Sequence, residues 1–175
     1  MFPARETPDS PVARYFRPAK ANHLREDRGL LDDQAIEERR GDLLLSTDRS
    51  LIDIEIVLAM LRASHWAGGM TREQLVRAVA NSVTIGIYDS ERQIAFGRAV
   101  SDLSTYAYLT DIIVAETARG RGIGRWMIET FVRHPDLQGL RRFALWTRSA
   151  APFYEQLGFH RPAHPSTYME LRIVR

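Results

Sequence analysis

The sequence predicts an α+β domain, a mixed and largely antiparallel sheet with flanking helices in the order β-α-α-β-β-β-α-β-α-β. Three observations carry this. Short apolar or alternating runs recur along the chain with strand length and strand period. Two amphipathic stripes near the first strand each follow a capping-box pattern. A third stripe begins where the β-rich run Tyr106–Val114 empties through Arg119-Gly120-Arg121-Gly122-Ile123-Gly124.

Taken in order, residues 1–41 stand apart as an extended N-terminal arm. Pro3, Pro8, Pro11 and Pro18 interrupt any regular element, and periodicity begins only at Leu30–Ile36, which reads as one short helix. Tyr15, Phe16 and Leu24 have no purpose in a pure linker, so the arm is expected to dock on its own core or on a second copy, in a homodimer. The folded domain is expected to span 42–175. Leu43-Leu44-Leu45 is its first strand. Ser50-Leu51-Ile52-Asp53 resembles a capping box opening a helix to Ser64, with Leu51, Ile54, Leu58 and Leu61 on one face. Thr71-Arg72-Glu73-Gln74 is a second capping box, for a helix through Ala80. Val83, Ile85 and Ile87 alternate as a strand, a turn follows at Asp89–Arg92, and Gln93–Val100 pairs back as a hairpin. Tyr106–Val114 is the next strand. Ile123, Trp126, Met127, Thr130 and Phe131 fall at i, i+3, i+4, i+7 and i+8, a helix buried on one face. Phe143–Thr147 reads as a buried strand, Ala150–Phe159 as a short helix stopped by Gly158, and Met169, Leu171 and Ile173 as a closing strand.

The glycine-rich segment carries the chemistry. A strand that runs through glycines into a helix N-terminus presents unpaired N–H groups and the positive end of the helix dipole. Missing Cβ atoms admit a phosphate, and Arg119, Arg121 and Arg125 ring it with charge. A P-loop requires a lysine after the second glycine, and the only lysine is Lys20. A dinucleotide fingerprint requires its glycines tight against the strand, whereas Ala115–Ala118 intervene here. The pattern Arg/Gln-x-x-Gly-x-Gly/Ala fits Arg119–Gly124 at each defined position. A surface turn with no ligand is the plain alternative.

Together with Ala150-Ala151-Pro152-Phe153-Tyr154-Glu155-Gln156-Leu157-Gly158-Phe159, this loop resembles the GNAT acyltransferase superfamily, from about Asp42 to the C-terminus. The resemblance implies acetyl-CoA as co-substrate, with its pyrophosphate on Arg119, Gly120, Arg121, Gly122, Ile123, Gly124 and Arg125. It places Tyr154 beside the CoA sulfur. The family's strand splays near Ile112, Ile113 and Val114, so main-chain N–H groups there face the pantetheine and thioester. Thr147 stands where many members carry an asparagine that orients the cofactor.

Acyl transfer to an amine needs a neutral nucleophile, a polarised carbonyl and a proton for the departing thiolate. Tyr154 is the candidate acid, since a phenol of pKa ~10 matches a thiolate well; a packed core tyrosine is the alternative. Tyr108, Thr110 and Asp111 lie just before the splay, and Asp111 is the only acid among them. An aspartate between apolar neighbours is either used as a base or held by backbone or by an arginine such as Arg98. Trp66, in the glycine-loosened His65–Gly69 connection, is expected beside the acceptor, as a lid or as a hydrophobic staple.

Composition narrows the classes further. With no cysteine there is no disulfide, thiol nucleophile or thiolate metal site, and His65, His160 and His164 share no metal-like spacing. No metal is therefore expected. Scattered charges summing to +2 argue against a nucleic-acid partner. No apolar run reaches membrane length and the N-terminus has no signal-peptide core, so the cytoplasm is expected. Two function classes remain: an N-acetyltransferase acting on a primary amine of a small molecule, or an acyl-CoA-binding regulatory or interaction module without catalysis.

Overall fold

The computed structural model describes residues 35–171. The elements are β1 (Glu37–Arg40), β2 (Leu43–Ser46), α1 (Ile54–Arg62), α2 (Arg72–Ala80), β3 (Val83–Asp89), β4 (Arg92–Ser101), β5 (Tyr106–Val114), α3 (Ile123–Arg133), β6 (Arg142–Leu145) and α4 (Ala151–Glu155). The strands form one sheet in sequence order. Each neighbouring pair is antiparallel except β5 and β6, which α3 joins as a parallel crossover.

The two faces of the sheet carry separate cores. On one, Trp126, Met127 and Phe131 of α3 pack with Ile85, Ile87, Ala99 and Leu109. On the other, Val57, Leu58 and Leu61 of α1 and Leu75 and Val79 of α2 meet Phe96 and Ile113. The capping box of α2 forms as the sequence suggests: the Thr71 hydroxyl accepts from the Gln74 amide and the Gln74 side chain accepts from the Thr71 amide. Among the described residues no helix is long and apolar enough to cross a membrane.

Four local expectations are corrected. Helix α1 is capped by Asp53, whose Oδ1 accepts from the amides of Glu55 and Ile56 at 3.0 and 2.9 Å. Ser50 sits earlier, in a 3-10 turn (Arg49–Leu51) closed by Asp48, and Leu51 is exposed. A carboxylate immediately before the apolar stripe outcompetes the serine three residues upstream.

The end of the expected extended arm also forms a strand, because Glu37–Arg40 pairs with Leu43–Ser46 across a tight turn at Gly41. Its anchor is Glu38, which accepts from the Trp126 indole at 3.0 Å and from Arg133 at 2.6 Å, while Arg40 lies over the Trp126 ring at 4.4 Å. A charged strand, EERR, has no alternation to advertise it. Strand β6 stops at Leu145, short of the expected Thr147. No closing strand forms through Leu171: Pro162 and Pro165 lead into a 3-10 turn, and Met169 and Leu171 are almost fully exposed. Ile173, the expected docking residues Tyr15, Phe16 and Leu24, and most of the expected helix at 30–36 lie outside the described residues.

Candidate functional site

The site begins where β5 leaves β6. Their pairing ends at Leu109 with Leu145, while β5 continues to Val114. Beyond that point β5 has β4 on one side and an open edge on the other. The Ala115 amide donates to the Ile94 carbonyl at 2.8 Å, so by alternation the Val114 and Ile112 amides point to the open edge. The side chains of Ile112 and Val114 pack on the α3 core, and Ile113 packs under α1 and α2.

A bulge sets the other face. Arg98 pairs with Thr110 and Phe96 with Ile113, so Asp111 and Ile112 share the single position opposite Gly97. Asp111 takes φ +54°, a left-handed conformation that aspartate tolerates better than most residues. The extra residue lets Thr110 and Asp111 line the same cavity, of about 550 Å³, together with Trp66, Met70, Arg98 and Tyr108. The four residues expected at the acceptor, Trp66, Tyr108, Thr110 and Asp111, are thus brought together. Trp66 is half-exposed on the outer wall, its ring edge-on to His65 at 5.0 Å. Burial, aided by the nearby Tyr168, raises the Tyr108 phenol above its ordinary pKa.

Asp111 is held. Its Oδ2 accepts from Arg98 Nε at 2.5 Å, and Thr110 Oγ1 lies 3.5 Å from Oδ1. Arg98 also donates to Ser82 Oγ at 3.3 Å. Of the two roles open to Asp111 from sequence, this is the geometry of a satisfied buried acid. Arg98 as a cavity residue was within reach of the sequence: it shares the inward phase of Phe96 in an alternating strand. Met70, at the end of a loop, gives no such signal.

On the α3 side lies the glycine-rich loop. After a 3-10 turn (Glu116–Ala118), Gly120 and Gly122 take φ +76° and +74°, conformations that a side chain at either place would strain. Gly122 is the N-cap of α3 and offers no capping side chain. The first helical hydrogen bond runs from the Trp126 amide to the Gly122 carbonyl at 3.0 Å, which leaves the amides of Ile123, Gly124 and Arg125 ahead of the ladder. A Cβ at Gly120 or Gly122 would meet nothing within 4 Å, so the space above the loop is open. Around it Arg119 reaches Glu116 at 3.4 Å, Arg121 reaches Asp89 at 3.1 Å and Arg125 reaches Glu129 at 3.8 Å, all from partly exposed positions. An uncapped helix N-terminus, open space and three guanidinium groups suit a diphosphate.

Helix α4 sets Phe153 against this loop, since a Cβ at Gly124 would lie 3.4 Å from its ring. The Tyr154 ring stands edge-on to Phe153 and Phe159, at 4.9 and 5.8 Å, and it packs against the same core as Ile112 and Val114. Burial pushes its phenol up to about 12. Thr147 acts locally, its Oγ1 accepting from the Ala150 amide at 3.0 Å and so fixing the turn into α4.

Comparison with known proteins identifies the family. Residues 80–161 match the family model of the acetyltransferase (GNAT) domain. Two similar proteins both carry the name putative acetyltransferase. One, from Gibberella zeae, is 30% identical over 131 residues, 62% of this chain and 73% of that protein. The other is a solved GNAT-family structure from Xanthomonas campestris pv. campestris, 39% identical, covering 75% of this chain and 93% of that one with a TM-score of 0.72. A chloroplastic serotonin N-acetyltransferase of Oryza sativa subsp. japonica is 32% identical over 93 residues, half of this chain and 46% of its own length. The chain belongs to the GNAT family of acetyltransferases.

Proposed function

We propose that the protein is an acetyl-CoA-dependent N-acetyltransferase acting on a primary amine of a small molecule. The observation that carries this reading is the junction itself. The open edge of β5, the uncapped N-terminus of α3 and Tyr154 share the α3 side of the sheet, and a cavity lined by Trp66, Tyr108, Thr110 and Asp111 opens on the other.

Acetyl-CoA, when bound, supplies a thioester whose carbonyl carbon is attacked by the amine nitrogen, a C–N bond replacing the C–S bond. The chain's own residues do the rest. Amides of Ile123, Gly124 and Arg125, with Arg119, Arg121 and Arg125 around them, hold the diphosphate. The Val114 amide, free on the open edge, is the donor suited to the carbonyl oxygen. Tyr154 stays protonated through neutral pH and gives its proton to the leaving thiolate. Asp111 maintains Arg98 and the bulge, and through them the placement of Tyr108 and Thr110 on the acceptor. With that carboxylate engaged, the ammonium proton leaves to water through the mouth of the cavity before attack.

Free-thiol release from acetyl-CoA with a panel of primary amines tests the reading. The engaged Asp111 also favours a second reading, an acyl-CoA-binding module without catalysis. Binding of CoA with no thiol release from any amine is the outcome that selects it.

A further inference from the structure

The cavity continues into a surface that folding does not explain. Tyr106 and Tyr108 alternate on the cavity face of β5. Phe143 and Leu145 of β6 pack into the α3 core, and Trp146, the residue after the strand ends, is more than half exposed. Tyr168 closes over it, with ring centroids 5.0 Å apart at 72°. Tyr168 also lies close enough to Tyr106 and Tyr108 for its charge to raise the Tyr108 phenol. Trp66 lines the same cavity as Tyr108. Four of these five rings (Trp66, Tyr106, Trp146 and Tyr168) rank among the exposed large hydrophobic side chains of the described residues. Clustered exposed aromatics on one face mark a binding surface.

The charge of the site limits the ligand. Among the described residues, Asp111 is the only carboxylate lining the cavity, and Arg98 neutralises it at 2.5 Å. A polyamine or aminoglycoside needs several free anions to replace its hydration, and this lining offers none. Flat rings that can stack face or edge are what this surface can bind with selectivity.

We infer that the acceptor is a primary amine carrying a planar aromatic body, held between Trp66 and the surface formed by Tyr106, Tyr108, Trp146 and Tyr168. This rests on the acetyltransferase reading above. The amine end reaches past Tyr108 and Thr110 toward the open edge of β5, while the ring stays at the mouth.

The experiment measures thiol release by the full chain with acetyl-CoA and four probes: 2-phenylethylamine, 2-cyclohexylethylamine, butylamine and spermidine. The first two differ in flatness and π-character at nearly the same size. The expected result is a kcat/KM at least ~10-fold higher for phenylethylamine than for cyclohexylethylamine, with spermidine poorest. In Trp146→Leu and Tyr168→Leu that ratio should fall toward one through KM, and Trp146→Phe should restore most of it. A wild-type ratio near one, a preference for spermidine, or a ratio unmoved in both leucine variants overturns the inference and leaves the acetyltransferase reading standing. No thiol release from any amine, with CoA bound, removes that reading and this one with it. Sedimentation supplies a further check, since a stable dimer abolished by Trp146→Leu would assign the aromatic surface to a second copy of the chain instead.

Discussion

Arg98 of β4 donates through Nε to Asp111 Oδ2 of β5 at 2.5 Å, at the one place where the two strands lose register. The pair spans the bulge that turns Thr110 and Asp111 into the same cavity, and both partners are largely removed from solvent. An ion pair here fixes a backbone shape that alternation alone would not choose.

Asp111→Asn therefore tests a holding role against a proton-accepting one. The substitution leaves the Arg98 charge without its counter-ion, and breaking a buried pair in this way destabilises by about 3 kcal/mol or more. Urea unfolding should show that loss. Once temperature is lowered to keep the variant folded, the acidic limb of kcat/KM against pH should match wild type. A stable variant whose acidic limb has flattened assigns Asp111 as the base.

Tyr154→Phe keeps the ring contacts with Phe153 and Phe159 and removes the transferable proton. Turnover should fall ~10²–10⁴-fold with melting temperature nearly unchanged at neutral pH. Linkage gives a second readout. The folded pKa of about 12 lies above the unfolded value near ~10, so the folded state holds the proton more tightly in that interval. Stability is complete below about pH 10 and is lost as pH rises toward about 12. Tyr154→Phe should lose less over this window than wild type. Some alkaline loss should persist, because burial and the charges of Asp48 and Asp53 raise Tyr88 in the same direction.

The double variant Gly122→Val, Gly124→Val tests the loop. At Gly122 the strain comes from φ +74°, and the added methyls project into the open space above the loop. At Gly124 the new side chain presses on Phe153 from 3.4 Å. Calorimetric titration with CoA should show binding weakened at least ~10-fold, as expected when a helix N-terminus can no longer approach the diphosphate. Unchanged affinity would remove the loop from the site.

Glu38→Gln tests whether β1 belongs to the folded domain. Burial disfavours the Glu38 carboxylate, but hydrogen bonds from Arg133 and Trp126 and the charges of Arg133 and Arg40 outweigh it and hold the pKa below its ordinary value. A depressed acid stabilises above its unfolded pKa, and that stability disappears as pH falls through the folded one. The variant should lose about 1–3 kcal/mol at neutral pH and show a shallower decline in acid. Equal stability at pH 7 would mean that the Glu38 contacts do not anchor the strand.

The strands β2 to β5 and helix α3 were legible because their apolar residues repeat with one period, and the loop at 119–124 because glycines there have a backbone purpose. The capping box of α2 was legible for a similar local reason. What escaped the sequence depends on partners far along the chain. Strand β1 is charged and is recognised only by Trp126 and Arg133, some ninety residues away. The closing strand was inferred from Met169 and Leu171, whose alternation finds no core to bury it in the described residues. At the site, the four residues expected at the acceptor line one cavity, but their convergence depends on a bulge that no periodicity reveals. The aromatic pair Trp146 and Tyr168 likewise depends on a ring contact between residues beyond any periodic element.

Acetyl transfer to an amine, with Tyr154 as proton donor, is checked most directly by product analysis. Full chain, acetyl-CoA and 2-phenylethylamine are combined, and free CoA and N-acetylated amine are quantified together by mass spectrometry, in wild type and in Tyr154→Phe. One acetylated amine should form per CoA released in wild type, and the variant should run ~10²–10⁴-fold slower with the same CoA affinity. Wild-type protein that binds CoA but forms no N-acetyl product with this or any other primary amine, or a Tyr154→Phe variant with full turnover, would contradict it.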